Sequence, residues 1–143
     1  MIPEAYIIDW KRNAPWRTDA QVEQDLILSR ILVELYNDPL ILEELLSTKL
    51  RALYQRNKGR DLFDIWYGLS HEKVDPAKII DSFKIYMGHQ NLKVSKEEFR
   101  KNLELKLQNS DFRNDITALV RPDIPYPIED AFHTVDDKLI SRL

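Results

Sequence analysis

The sequence predicts an all-α chain, folded as a compact bundle of about six to seven helices. Three observations carry this. Helix-start and helix-stop residues recur along the whole chain, while the alternating apolar and polar runs of strands are scarce. Apolar residues make up 43% and charged residues 31% of the 143 positions, and there are only three glycines. That balance fits a helical protein better than a disordered or β-rich one.

The elements follow in order. Near the N-terminus, Tyr6, Trp10 and Trp16 are large for exposed positions and Pro15 interrupts them, so a short helix followed by a docking arm is expected, its aromatics filling the core. Thr18 and Gln21 have the spacing of a capping box. The apolar residues Val22, Leu26, Ile27, Leu28, Ile31, Leu32 and Leu35 then continue with helical periodicity, with an end near Asn37. Asp38-Pro39 reads as an N-cap with proline at the first helical position. Leu42, Leu45, Leu46, Leu50 and Leu53 carry this second helix, for which Gly59 is the expected stop.

A short third helix holds RDLFDIWYGL, with Leu62, Ile65, Trp66 and Leu69 as its apolar stripe and Asp61 and Asp64 together on the opposite side. Asp75-Pro76 opens a helix with Ile79, Ile80, Phe83 and Met87 inward and Gly88 at its end. Ser95 with Glu98 is a second capping box, and Ser110 is the expected cap of DFRNDITALV. The segment RPDIPYP must be a turn or extended connector. IEDAFHTVDDKLISRL closes the chain as a final helix. With no internal repeat, low-complexity tract or long linker, residues 1–143 are expected to form one domain of ordinary size.

Composition narrows function. Cysteine is absent, so a disulfide framework and a thiolate zinc site are excluded, and a reducing compartment, the cytoplasm, is expected. No segment reaches the ~18 apolar residues of a membrane span, and no secretory leader is legible. The net charge of −3 does not advertise nucleic acid, but the distribution of charge is uneven. From Thr18 to Thr48 seven acids face the single cation Arg30. From Lys49 to Arg60 there are five cations, Lys49, Arg51, Arg56, Lys58 and Arg60, and no acid. An abrupt reversal of this kind suits a local anion site, or an exposed helix end whose cations favour the C-terminal dipole.

Lys49 falls on the apolar stripe of its helix, three residues after Leu46 and four before Leu53. A lysine there must snorkel to water or meet an acid. Two readings follow: a buried Lys49–Asp64 pair that holds two helices in register, or a phosphate contact at Lys49 with Arg51, Arg56 and Lys58 around the rim.

The stretch ELLSTKLRALYQRNKGRDLFDIWYGL strongly resembles the C-terminal part of the AbiEii/AbiGii-type nucleotidyltransferase toxins, the toxin half of type IV toxin–antitoxin and abortive-infection systems of bacteria. The opening segment, residues 1–40, looks like the helical start of the same proteins, which leaves residues 41–143 as the family-like C-terminal helical region. The resemblance implies a polymerase-β-like palm whose Gly-Gly or Gly-Ser motif and Asp-x-Asp or Asp-x-Glu motif bind magnesium and a nucleoside triphosphate. Transferred by motif, Lys49 matches the family lysine and Asp64 the later aspartate, both catalytic. Arg60 and Asp61 match the flanking pair, and with Arg51, Arg56 and Lys58 they are the expected substrate-binding residues. The resemblance also implies tRNA or a nucleotide as ligand and an antitoxin as genetic partner.

The sequence departs from that pattern at one place. Asp38-Pro39-Leu40 runs almost straight into Glu43-Glu44-Leu45-Leu46, with a junction near Ile41, where the family carries its palm motifs on roughly one domain's worth of chain. Nucleotidyl transfer needs closely placed carboxylates to hold divalent metal. Glu43-Glu44, Glu97-Glu98 and Asp136-Asp137 are adjacent in sequence and diverge on a helix. Asp61 and Asp64 share a face but follow no strand and no glycine-rich loop. Gly59, Gly68 and Gly88 are too scattered to build such a loop.

His71, His89 and His133 have no second ligand at zinc spacing. Ser47, Ser70 and Ser95 suit helix or cap positions. The expectation is a truncated or degenerate relative of these toxins, without autonomous catalysis and without a metal, keeping nucleotide or tRNA contacts. Two alternatives stand beside it: a magnesium-dependent transferase that completes its site with another chain, and a structural module that forms a homodimer.

Overall fold

A computed structural model describes residues 2–12, 18–116 and 125–143, except for the side chains of residues 35 and 36. It is all-α, as expected, with eight α-helices among the described residues and no strand. These group into two compact units, residues 1–38 and residues 39–143.

The first unit holds α1 (Glu4–Lys11) and α2 (Asp19–Tyr36). The capping box forms as expected. The Thr18 amide donates to Gln21 Oε1, and the Gln21 amide donates back to Thr18 Oγ1, each at 3.3 Å. The Trp10 indole donates to Asp25 Oδ2 at 2.8 Å and ties α1 to α2. Pro15, Trp16 and the Leu35 side chain lie outside the described residues.

The second unit is a bundle around α3 (Pro39–Gln55), which packs against α4 (Gly59–His71), α5 (Pro76–His89) and α6 (Lys96–Leu107). Helix α4 also meets α7 (Ser110–Asn114) and α8 (Ile128–Lys138), and a 3-10 turn, Ile140–Arg142, follows. Leu50 and Leu53 of α3, Leu62 and Ile65 of α4, Phe83 of α5, Phe99 of α6 and Phe112 of α7 are all essentially inaccessible and form one core. A side chain buried to this degree is worth roughly 1.5–3 kcal/mol.

Several boundaries differ from expectation, for local reasons. Gly59 does not end α3, which stops at Gln55; it opens α4. A Cβ there would lie 1.9 Å from the Phe112 carbonyl oxygen, so α4 can begin this close to α7 only at glycine. Gly88 lies inside the last turn of α5, and the left-handed residue beyond it is Asn91, φ 54°. Asn91 donates to Gly88 O and Leu92 to Met87 O, a Schellman motif built on asparagine. The cap of α7 is Asn109, whose Oδ1 accepts from the Asp111 and Phe112 amides; Ser110 is the first helical residue. Helix α7 ends at Asn114, and residues 117–124, which include part of the RPDIPYP connector, lie outside the described residues. The Ser95–Glu98 capping box and the Asp75 cap on the Ala77 amide form as the sequence indicates. No helix among the described residues is long and apolar enough to cross a membrane.

Candidate functional site

The basic run spans the end of α3 and the start of α4, and the turn between them brings Lys49 beside the two aspartates of α4. Lys49 Nζ lies 2.6 Å from Asp64 Oδ2 and 3.8 Å from Asp61 Oδ1. The lysine on the apolar stripe therefore meets an acid. It remains 28% exposed and Asp64 37%, so their contact sits at the rim of the core.

Asp61 is not on a wet face: it is completely buried. Its burial is compensated by Arg56, whose Nε donates to Oδ2 and whose Nη2 donates to Oδ1, each at 2.7 Å. A two-pronged guanidinium–carboxylate bond is the strongest neutralisation a side chain offers. The hydrogen bond to Asp61 raises the Arg56 pKa above its ordinary value, against partial desolvation, with further support from the charges of Asp61, Asp115 and Asp64.

Lys58 and Arg60 turn elsewhere. Asp115, just beyond α7, accepts from Lys58 Nζ at 3.5 Å and from the Arg60 amide at 3.3 Å, and lies 3.5 Å from Arg60 Nε. Burial opposes the Asp115 carboxylate. The Arg60 amide and the two cations outweigh it and hold its pKa below the ordinary value. Arg51 stands apart from all of these, its guanidinium 5.3 Å from the centre of the Tyr86 ring on α5. The expected rim of cations around Lys49 is thus divided among three sets of partners.

Two further residues complete the surroundings. Lys106 of α6 reaches the C-terminal end of α3 and donates to the carbonyls of Leu53 and Tyr54, the latter at 2.8 Å. Burial lowers its pKa to about 8, with the Asp61 charge acting in the opposite sense. Tyr126 packs edge-on against Phe63, with ring centres 5.1 Å apart, and against Trp66. Its hydroxyl is buried without a hydrogen-bond partner among the described residues. Burial first, then the charges of Asp64 and Glu129, push its ionisation upward.

His71, His89 and His133 are exposed, and His71 stacks on Tyr67 at 4.1 Å. Ser47 and Ser70 lie within helices and Ser95 is a cap. Among the described residues, no group of three or more histidines and carboxylates is gathered as a metal site would require.

A lysine on α3 joined to an aspartate of an RDLFD turn on α4 is the arrangement on which comparison with known proteins bears. Residues 40–139 match the family model of the nucleotidyl transferase AbiEii toxin, type IV toxin–antitoxin system. The chain belongs to this family.

The AbiEii match covers α3 from Leu40 onward and all of α4 to α8, and with them every residue of the site, whereas the first 39 residues lie outside it. No curated protein and no solved structure matches the chain. Asp115, Lys106 and Tyr86, which share the partnerships of the basic run in this AbiEii member, had no local signal in the sequence. Asp115 is 55 residues from Arg60, and nothing in the intervening helices' periodicity announces the approach.

Proposed function

We propose that this AbiEii-family chain is a helical member that does not transfer nucleotides by itself and that keeps an anion-contacting surface for tRNA or nucleotide at Arg51, Lys58 and Arg60. One observation carries the reading: the two carboxylates nearest Lys49 are already neutralised by the protein, Asp61 by Arg56 on both oxygens and Asp64 by Lys49 at 2.6 Å. Magnesium held for phosphoryl transfer needs carboxylate oxygens turned towards the ion and the triphosphate. Asp61 and Asp64 face cations of their own chain instead, so the donor set does not fit that ion. The absence of Gly-Gly and Asp-x-Asp motifs near Ile41 supports the same reading. In this view Lys49, Arg56, Asp61 and Asp64 join α3 to α4, and an antitoxin is the genetic partner that the type IV family implies.

Lys58 and Arg60 keep 47% and 41% of their side-chain surface exposed while paired to Asp115, which leaves their outer faces open to phosphate. The test is label transfer from nucleoside triphosphate to tRNA with magnesium, run beside tRNA anisotropy at two salt concentrations. The expected result is no transfer, together with saturable binding that weakens with salt and falls in an Arg51→Ala, Lys58→Ala, Arg60→Ala variant. Magnesium-dependent transfer that is lost in Lys49→Ala would overturn the noncatalytic reading. Transfer seen only when a second protein is added would indicate a site completed between chains.

A further inference from the structure

Helix α2 is apolar on two opposite sides. Val22 and Leu26, one turn apart, are buried, and α1 is fastened on either flank of them, through Trp10 to Asp25 and through Tyr6 under the Arg30 guanidinium at 5.5 Å. About half a turn away around the helix, Ile27, Leu28, Ile31 and Leu32 follow an i, i+1, i+4, i+5 pattern. They are 41%, 59%, 48% and 49% exposed. A helix with apolar residues on both sides belongs between two partners. Residues 1–38 supply only one, α1.

The charges beside the open stripe indicate the second. Glu23 and Glu34 border it on one side, and α2 carries four acids, Asp19, Glu23, Asp25 and Glu34, against the single cation Arg30, which is engaged with Tyr6. A second copy laid on this stripe would set acids against acids. A helix with an apolar stripe bordered by lysines and arginines would complement both the apolar residues and their acidic border.

We infer that the Ile27–Leu28–Ile31–Leu32 face of α2 is a docking surface for a basic amphipathic helix of another protein. This interaction is separate from the nucleic-acid contact proposed at the α3–α4 turn, because it uses other residues and a partner of opposite charge.

The probe is a fluorescently labelled leucine–lysine peptide helix as long as α2, titrated into the full chain beside a leucine–glutamate peptide of the same pattern. The expected result is saturable binding of the basic peptide, no binding of the acidic one, and weakening by about tenfold or more in both Ile27→Ser/Ile31→Ser and Glu23→Lys/Glu34→Lys. The second double variant leaves the apolar residues in place, so a folding defect in the first does not decide the outcome. Equal binding of both peptides, or basic-peptide binding indifferent to the serine variant, would overturn the proposal. So would sedimentation showing self-association that the serine variant abolishes, since the face would then be occupied by a second copy.

Discussion

The Arg56 guanidinium and the Asp61 carboxylate form two parallel hydrogen bonds of 2.7 Å across the turn from α3 to α4, with the acid wholly buried and the arginine half in water. The pair is asymmetric: removing Arg56 strands a buried charge, whereas removing Asp61 leaves a cation that can turn to solvent. Arg56→Ala is therefore expected to cost about 2–3 kcal/mol, below the figure for a pair buried on both sides because Lys49 remains near Asp61. Asp61→Ala should cost less. Arg56→Lys should recover only part of the loss, since a lysine cannot supply the fork. Urea unfolding of the three variants gives the order.

Two glycines of neighbouring helices should respond with opposite signs. Gly59→Ala places a Cβ against the Phe112 carbonyl, which is backbone and cannot rotate away, so a loss of about 1–3 kcal/mol is expected. A Cβ on Gly88 meets nothing within 4 Å inside α5, and Gly88→Ala should stabilise by about 0.5–1 kcal/mol. Thermal unfolding separates the two directly. Gly88→Ala failing to stabilise would mean that α5 ends differently from the Schellman turn at Asn91.

Lys106 makes stability depend on pH. Its folded pKa is lowered to about 8, mainly by burial, below the ~10.4 of an unfolded lysine. Between those values the unfolded chain binds the extra proton, so the contribution of this residue to stability rises as pH rises from about 8 to 10.4 and is lost again as pH falls. With the side chain partly in water, the gain should be on the order of 1 kcal/mol. The measurement is the urea midpoint of the protein against Lys106→Met across that range. The difference between them should shift in favour of the lysine form as pH increases.

Tyr126 offers a substitution that should not hurt. Its hydroxyl is buried without a partner among the described residues, while its ring packs on Phe63 and Trp66. Tyr126→Phe keeps the ring and removes the unpaired group, so stability should be unchanged or raised by up to about 1 kcal/mol. An alkaline absorbance titration should show one tyrosine fewer at its high-pH end in the variant, because burial and the nearby acids delay this ionisation.

The features legible in the sequence were those fixed over a few residues. The Thr18–Gln21 and Ser95–Glu98 boxes and the Asp75-Pro76 start follow from side chains that bond to their own first turn. The Lys49–Asp64 contact was also within reach, because helical spacing puts Lys49 on the apolar stripe and the turn fixes which helix returns beside it. Asp61 was read as sharing the side of Asp64, and periodicity could not show that the arginine five residues earlier would allow full burial. The partners of Lys58, Arg60 and Arg51 were hidden because they come from α5 and from beyond α7, set by the packing of the whole bundle. The glycine at 59 was misread for the same reason: its neighbour is a carbonyl more than fifty residues on.

The contacts that hold the α3–α4 turn fall into two classes of loop closure. Arg56 and Asp61 are five residues apart and can meet within a nascent hairpin, whereas Asp115 reaches the Arg60 amide across 55 residues. Entropy of closure favours the short loop. The turn should therefore acquire its internal arginine–aspartate lock early in folding. Its seating against α7, with Gly59 under the Phe112 carbonyl, should come late, so substitutions at Gly59 or Asp115 would speed unfolding more than they slow folding.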